Sequence, residues 1–223
     1  PPRGRAWRGL DREAAVERLQ TTLQKLSGAT PEIAPPTGAL GADRLSVVVA
    51  SLTSLSVYLV PLVALLMSFD AVAGEIERGT LPLLLTYPIA RWEVLVGKLL
   101  AHATIMIAAI LAGYGVAAAV TIAADPDAVA GLAALWRLTW TSILLGATFL
   151  GIGYALSSLA RRVSGAAGMA IGLWLGLVVL YDLGLLAAVV ADEGGTFTTD
   201  IFPVALLANP ADAFRLFNLS AAQ

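Results

Sequence analysis

LSVVVASLTSLSVYLVPLVALLMSF, residues 45–69, is the stretch that decides the fold, because it has the length and apolar character of a membrane-spanning helix. A span requires about 20 mostly apolar residues to cross about 30 Å of hydrocarbon. Three more segments of this kind follow, at Trp92–Ala124, Leu132–Ala160 and Ser164–Ala191. Most of the connections between them are short. The sequence therefore predicts an all-α fold, a polytopic transmembrane helical bundle with four antiparallel spans.

The composition of the whole chain agrees with this interpretation. Of the 223 residues, 58% are hydrophobic and 13% charged, whereas a soluble domain carries about 45–50% apolar and about 25% charged residues. The net charge of -2 argues against a nucleic-acid partner, which requires a basic surface. The absence of cysteine excludes disulfides, thiol catalysis and cysteine metal clusters. Membrane lipids are the surroundings that this composition predicts.

The chain divides into three predicted regions. Residues 1–44 form an extramembrane segment, residues 45–191 the transmembrane bundle, and residues 192–223 a tail in which short apolar pieces alternate with Pro203 and Pro210. Within the bundle, residues 70–91 form a long polar connection. The chain starts without Met and ends on a polar tail, so we expect a fragment that lacks a span at each end.

The distribution of basic residues predicts the topology. A raw count favours residues 1–44 on the inside, but the positive-inside rule applies best to short connections near span ends. The short turn Arg161-Arg162-Val163 lies on the same predicted side as residues 70–91, opposite Asp125 and Asp192. We therefore place residues 70–91 in the cytoplasm, and expect a multi-pass membrane protein.

The connection between the first two spans is too long for a simple hairpin. Most of it lies in EIERGTLPLLLTYPIARWEVLVGK, residues 75–98, which continues into the second span. Thr80 suits the cap of a short helix, and Pro82 suits its first turn. The apolar side at Leu83–Leu85 would then lie in the headgroup region or dock in a groove on a soluble partner. The residues alone leave both alternatives open.

The order of residues in this connection resembles the first cytoplasmic loop of type 2 ATP-binding-cassette (ABC) permeases. The family pattern there is GE-x-E-x-GT-L, followed by LL-x-x-P-x-x-R and GK. The matching residues are Phe69–Leu81, Leu84–Pro88, Arg91 and Gly97-Lys98. The resemblance covers about residues 38–223, the residues before 38 do not resemble the family, and a complete member has six spans.

The resemblance implies that this connection is a coupling helix, which docks in a cleft of a separate cytoplasmic ABC ATPase dimer. The residues implied in that interface are Glu75, Glu77, Arg78, Thr80, Leu81, Tyr87, Pro88, Arg91, Arg161 and Arg162. The sequence holds no Walker A loop, because Gly97-Lys98 is followed by Leu99. We therefore expect a transporter subunit rather than an enzyme, with no cofactor of its own and with ATP and Mg in the partner ATPase.

Within the family, the chain most resembles permeases that serve the maturation of nitrous oxide reductase in denitrification. The segments that carry this likeness are Val60–Leu66, Tyr154–Ser158, Tyr181–Leu186, Asn209-Pro210, Phe214–Leu216 and Asn218–Ser220. The likeness implies a role in copper delivery and a place in the bacterial inner membrane. It also implies that residues 192–223 form an outer-face tail with short re-entrant or surface helices, which faces a periplasmic copper-handling partner protein. A type 2 exporter permease for a lipid, drug or polysaccharide is the alternative.

Small residues recur every four positions in the fourth span. They are Ser164, Gly168, Gly172 and Gly176. A stripe of this kind lets two helix backbones approach closely, and in lipid that packing drives association. In the family the corresponding span lines the contact between two permease copies, so the resemblance implies a homodimer. Packing within one chain is the alternative.

His102 and Asp182 are predicted to lie within spans, where an ionisable residue points to function. An intramembrane enzyme that uses both is a less favoured reading, because no H-E-x-x-H or G-x-S-x-G motif supports it. A backbone hydrogen bond for His102 and an interfacial position for Asp182 are the alternatives. His102 shares a helix face with Met106, but two ligands are too few for copper, so we predict no metal site.

Overall fold

The computed structural model describes residues 37–80, 90–192 and 194–220, and every regular element in that part of the chain is helical. The chain divides after Leu40 into two units, and the contacts described below lie within the second, Gly41–Gln223. The helices are α1 (Thr37–Ser68), α2 (Asp70–Glu77), α3 (Arg91–Ala124), α4 (Leu132–Leu159), α5 (Val163–Trp174), α6 (Tyr181–Asp192), α7 (Phe202–Ala208) and α8 (Pro210–Ser220). The predicted all-α fold is confirmed.

Four stretches are long and apolar enough to cross a membrane, which confirms the predicted number of spans. Their bounds are Arg44–Glu77, Arg91–Ala124, Pro126–Leu159 and Val163–Asp192. The third includes a 3-10 turn at Pro126–Gly131 before α4. The fourth is divided into α5 and α6 by a π-helical segment at Leu175–Leu180.

The first span continues beyond the residue at which the sequence analysis ends it. Phe69, between α1 and α2, keeps helical dihedral angles, with φ −62° and ψ −31°. Its amide donates to the Leu65 carbonyl at 3.0 Å, so the helical hydrogen bonding hardly breaks there. The helix therefore extends through Asp70 to Glu77, because this polar stretch has partners on the neighbouring helices.

The core of the bundle is formed mainly by α4, α3 and α1. Its largest fully buried apolar side chains are Leu45, Leu65, Leu138, Phe149 and Leu150. Glycines let the helices approach closely around it. A Cβ on Gly146 would lie 2.4 Å from the Met106 sulfur, and a Cβ on Gly153 would lie 1.9 Å from Ser68 Oγ. Such close contacts between a glycine and a side chain of the facing helix stabilise helix pairs in lipid.

The spans alternate in direction, which gives the bundle two ends. The elbow end holds Ser68, Arg91, Leu159 and Val163, and the tail end holds Arg44, Asp125, Leu132 and Asp192. Contacts between successive spans define both ends. Arg44 pairs with Asp125 at 3.8 Å at the tail end, whereas Ser68 approaches Gly153 near the elbow end.

The tail folds back on the bundle. After a second π-helical segment at Phe197–Ile201, α7 leads into α8, which packs against α4. Asn218 fastens that contact, because its side-chain amide donates to Thr141 Oγ1 at 3.0 Å and to the Phe214 carbonyl at 2.9 Å. The tail is therefore attached to the third span as well as to the fourth span that precedes it.

Candidate functional site

The elbow helix α2 has no capping side chain of its own at its N-terminus, where Phe69 is the N-cap residue. Ser157 of α4 takes that role. Its hydroxyl oxygen accepts hydrogen bonds from the Val72 and Ala73 amides, each at 3.0 Å, and its hydroxyl donates to the Phe69 carbonyl at 2.6 Å. Ser157 is fully buried. The free amides that begin every helix are thus satisfied here by a different helix.

The middle of α2 is held by Lys98 of α3. The Lys98 ammonium group donates to the Ala71 carbonyl at 2.8 Å and forms an ion pair with the Glu75 carboxylate. The Glu75 side chain is 12% exposed and the Lys98 side chain 33% exposed. Each charge in this sheltered place therefore depends on the other, because an unpaired charge away from water is costly.

The C-terminal end of α2 contacts α5. Glu77 Oε2 accepts a hydrogen bond from the Val163 amide at 2.6 Å, at the first residue of α5. The N-cap residue of α5, Arg162, makes no side-chain capping bond. A carboxylate at a helix N-terminus satisfies a free amide and interacts favourably with the helix dipole, so Glu77 caps α5 from outside.

Two glycines shape the elbow. A Cβ on Gly74 would lie 1.9 Å from Asp70 Oδ1 and 2.6 Å from Arg78 Nη2, so the glycine leaves room for these side chains to meet over it. They form an ion pair at 3.4 Å. Gly79 has φ +69°, the left-handed conformation typical of the residue that follows a helix. These positions explain why this stretch contains glycine at both places.

The residues implied in an ATPase interface differ in how much surface they offer. Glu75 is buried against Lys98, whereas the side chains of Glu77, Arg78, Arg91, Arg161 and Arg162 are exposed around the elbow end. The contact of any of them with an ATPase stays a prediction.

Part of the implied interface falls on residues that are not described. Thr80 is partly buried, and its hydroxyl lies 3.4 Å from the Glu75 carbonyl. Leu81, Tyr87 and Pro88 lie outside the described residues, and so does the predicted amphipathic helix around Leu83–Leu85. Its orientation stays a prediction.

His102 bonds a side chain rather than the backbone carbonyl that the sequence analysis considered. Its Nδ1 lies 2.9 Å from the Tyr154 hydroxyl, and the two ring centroids are 5.8 Å apart. Met106, one turn further on, packs against Gly146. Among the described residues, no group of three or more His, Cys, Asp and Glu side chains is placed to hold a metal ion.

Asp182 pairs with Arg215 of α8, a partner that the sequence analysis missed. Arg215 Nη1 lies 2.9 Å from Asp182 Oδ2, and Nη2 lies 3.4 Å from Asp212 Oδ1. Asn209 donates to Asp212 Oδ2 at 3.0 Å and to the Leu177 carbonyl at 2.7 Å. The sequence does contain a signal for this ion pair. An acid within a span requires a partner, and Arg215 is the sole basic residue of the sequence after Arg162.

Asp212 is nearly fully buried, in the middle of this cluster. Its burial, followed by the neighbouring Asp182 carboxylate, raises the pKa of Asp212 from its ordinary value of 3.8 to about 6. No described contact joins this cluster to His102, which bonds Tyr154 instead. The structure therefore does not bring His102 and Asp182 together as one site.

The small-residue stripe of the fourth span is largely exposed in the described part of the chain. Ser164, Gly168 and Gly172 are exposed, and Gly176 is half-buried. A Cβ at any of the three glycines would meet no described atom within 4 Å. Packing inside the described part of the chain therefore does not use this stripe, and the homodimer stays a prediction.

Known proteins share this sequence pattern. The family described as "ABC-2 family transporter protein" matches residues 12–223, a match that begins upstream of residue 38, where the resemblance in the sequence analysis begins. The chain is 48% identical over 185 residues to "Probable ABC transporter permease protein NosY" of Pseudomonas aeruginosa, covering 82% of this chain and 67% of that protein. It is 44% identical over 190 residues to the protein of the same name from Stutzerimonas stutzeri, covering 84% and 68%.

Proposed function

The chain belongs to the ABC-2 family of transporter proteins and is a multi-pass transporter permease, and we propose that it couples ATP hydrolysis by a separate cytoplasmic ABC ATPase dimer to movement at its outer face. The observation that carries this proposal is the set of contacts of α2. This helix of 8 residues ends the first span and bonds Lys98 of the second, Ser157 of the third and Val163 of the fourth. A force on the elbow end therefore reaches every span.

The surface around the elbow supports docking of a soluble partner. Its exposed charges have both signs, and charges at the rim of an interface set its register and association rate. Ile76 and Trp92 are large exposed apolar side chains beside those charges, 40% and 64% exposed, and side chains of this kind anchor interfaces. We place this end in the cytoplasm of a bacterium, with the protein in the inner membrane and ATP and Mg held by the ATPase.

Charge reversal in the turn between α4 and α5 tests the docking. In Arg161→Glu with Arg162→Glu, two exposed charges change sign, and the side chains that bond α2, those of Ser157, Lys98 and Glu77, are left unchanged. We expect copurification of the ATPase from solubilised membranes to fall about tenfold or more, a loss of about 1.4 kcal/mol of binding free energy. Glu75 is left unchanged, because its replacement would disturb the elbow itself.

The matched control for this experiment reverses an exposed charge at the opposite end of the bundle. Asp127→Arg changes a side chain whose carboxylate is exposed at the tail end. We expect it to copurify with the ATPase as the unaltered chain does. If the double variant retains the ATPase as well as the control does, the docking surface is not the elbow end.

We further propose that the complex acts in copper delivery during the maturation of nitrous oxide reductase, with a periplasmic copper-handling protein at the tail end. The support is the sequence likeness described above, together with the two similar proteins named NosY. Purification of the intact complex, followed by metal analysis and identification of the bound proteins, tests it. A bound lipid, drug or polysaccharide without copper would favour the exporter alternative.

We also propose a homodimer in which two copies meet along the open stripe of the fourth span. Gly172→Leu fills the middle of the stripe and is expected to abolish cross-linking between two copies in membranes. Gly113→Leu is the matched control, because Gly113 is also exposed with open space around it but lies in α3. Equal cross-linking of both variants would place the dimer contact elsewhere.

A further inference from the structure

The elbow helix bridges the turn that joins the third and fourth spans. Ser157 lies just before the end of α4 and holds the N-terminus of α2. Glu77, the last residue of α2, holds the Val163 amide at the start of α5. The two ends of α2 are thus fastened to the two helices on either side of residues 160–162.

Small apolar side chains fill the space between these three helices. Ala73 of α2, Ala160 of the turn and Ala166 of α5 form one buried cluster, and Phe69 packs against it. Methyl-sized side chains bring the backbones close together. Close-packed interiors transmit displacement instead of absorbing it, so relative movement of the three helices is restricted here.

The bonds at the two ends of α2 differ in stiffness. Ser157 is fully buried and contacts only backbone groups of the elbow, which move with the helix itself. Glu77 is exposed and reaches Val163 through a flexible side chain. Ser157 is therefore the stiffer attachment, and Glu77 is the second one.

We infer that Ser157 is a positioning residue that makes α2 and the elbow ends of α4 and α5 move as one body, called here the clamp. Without the contacts to α4 and α5, a displacement of α2 would pass only to the first and second spans, through the helical backbone at Phe69 and through Lys98. With the clamp in place, the displacement enters the third and fourth spans. That an ATPase causes this displacement rests on the proposed function. The clamp itself exists with or without an ATPase.

Spin-label distances on the full chain in lipid nanodiscs, without ATPase, test the clamp. The sequence has no cysteine, so an introduced pair carries the only labels. Ile76→Cys with Leu159→Cys places labels on two exposed positions, one on α2 and one on α4. We expect a narrow distance distribution that Ser157→Ala broadens, because the Val72 and Ala73 amides lose their acceptor.

Two further variants make this result decisive. Ser158→Ala removes a neighbouring exposed hydroxyl that bonds only the Ala155 carbonyl of its own helix, and it is expected to leave the distribution narrow. Glu77→Ala, which removes the exposed acceptor of the Val163 amide, is expected to broaden it less than Ser157→Ala does. If Ser157→Ala leaves the distribution as narrow as in the unaltered chain, Ser157 does not position α2 and the inference is overturned, whatever Glu77→Ala does.

A second pair of labels, with the ATPase and a non-hydrolysable ATP analogue added, tests what the clamp transmits. Val120→Cys and Trp136→Cys label exposed positions at the tail ends of α3 and α4. We expect the analogue to shift this distance in the unaltered chain, and Ser157→Ala to bind the ATPase equally well but to lose the shift. A merely destabilised variant would lose the ATPase too.

The two label pairs separate the two proposals. A full shift in Ser157→Ala would overturn the inference while the proposed function stands. An unaltered chain that binds no ATPase would overturn the proposed function, and the Ile76 and Leu159 labels would still decide whether the clamp exists.

Discussion

The two ends of the bundle are both held together by side chains, but with different chemistry. At the elbow end, Ser157, Lys98 and Glu77 each bond backbone groups of a neighbouring helix. At the tail end, Arg215 joins two carboxylates, Asp182 and Asp212. The Ser157 hydroxyl and the backbone groups that it bonds do not titrate between pH 4 and pH 8, whereas a carboxylate with a raised pKa, such as that of Asp212, does.

The difference suggests a division of tasks between the ends. At the elbow, the stiffest attachment is the buried Ser157 hydroxyl, which bonds backbone groups of α2 and carries no titratable group. The tail is attached by a cluster of two carboxylates, Asp182 and Asp212, and one guanidinium group, Arg215. The stability of this cluster depends on whether Asp212 is protonated. Four substitutions test this difference between the two ends. They are ordered by their expected effect on the free energy of unfolding, from the largest to the smallest.

Lys98→Met is expected to have the largest effect. It removes the cation that pairs with the sheltered Glu75 carboxylate and the donor to the Ala71 carbonyl. Leaving one charge of such a pair alone costs about 3 kcal/mol, so thermal unfolding in detergent should begin at a clearly lower temperature. Adding Glu75→Gln to Lys98→Met should restore much of the loss, because no lone charge is then buried. A double variant less stable than Lys98→Met would contradict the pairing.

Gly153→Ala is expected to cost about 2 kcal/mol, because it adds a methyl group where α4 approaches Ser68. The Ser68 hydroxyl already donates to the Ala64 carbonyl at 2.7 Å, so it does not move aside freely. Gly151→Ala is the matched control on the same helix, exposed and with open space around it. The two variants are compared by thermal unfolding, and equal unfolding temperatures would mean that the close approach is absent.

Asp212 is expected to make the stability of the protein depend on pH. Its pKa is raised to about 6, first by burial and then by Asp182, so the folded protein holds this proton more tightly than the unfolded chain does. The resulting stabilisation is complete below the ordinary pKa of 3.8 and is lost as the pH rises through about 6. We expect this contribution to be about 1–2 kcal/mol.

Asp212→Asn isolates that contribution from the titration of other groups. The unfolding temperature measured between pH 4 and pH 7 should fall with rising pH more steeply for the unaltered chain than for Asp212→Asn, which cannot titrate at this position. Hydrogen exchange of the α8 amides over the same range locates the effect. Parallel curves would show that the tail cluster does not hold the proton.

Arg44→Ala is expected to have the smallest effect. Arg44 is mostly exposed, and its Nε lies 3.8 Å from Asp125 Oδ2. An exposed ion pair of this length contributes about 0.5 kcal/mol or less. Thermal unfolding should therefore change little, and a large loss would mean that the tail end depends on ion pairs beyond the Arg215 cluster.

The sequence predicts the spans well because their signal is local. Length and apolar character identify each of the four membrane-spanning stretches without reference to the rest of the chain. The first span is predicted from the sequence to end at Phe69, because charged residues follow it, whereas the helix of the structure continues to Glu77. Asp70 to Glu77 stay helical because their partners come from other helices.

The candidate site shows why such partners escape prediction. Ser157 lies 88 residues from the Phe69 carbonyl that it bonds, and a serine within a span has no pattern that assigns it to a distant helix start. The ion pair between Asp182 and Arg215 could be predicted from the sequence, because an acid within a span requires a partner and Arg215 is the one basic residue that follows it. The partner of His102 could not be predicted in this way. A role in an enzyme site with Asp182, a copper site with Met106 and a bond to a backbone carbonyl all fit its sequence position, and the structure instead places the Tyr154 hydroxyl beside it.

The π-helical segment at Leu175–Leu180 lies between two parts of the fourth span whose relative rotation matters. A helix turns by about 100° per residue, so deleting one residue there would rotate α6 by about that angle relative to α5. Asp182 would then face away from Arg215, and the Tyr181 hydroxyl would leave the Ala205 carbonyl that it bonds at 2.7 Å. Descendants of this gene should accept many replacements of one apolar residue by another in this segment, yet rarely a change in its length.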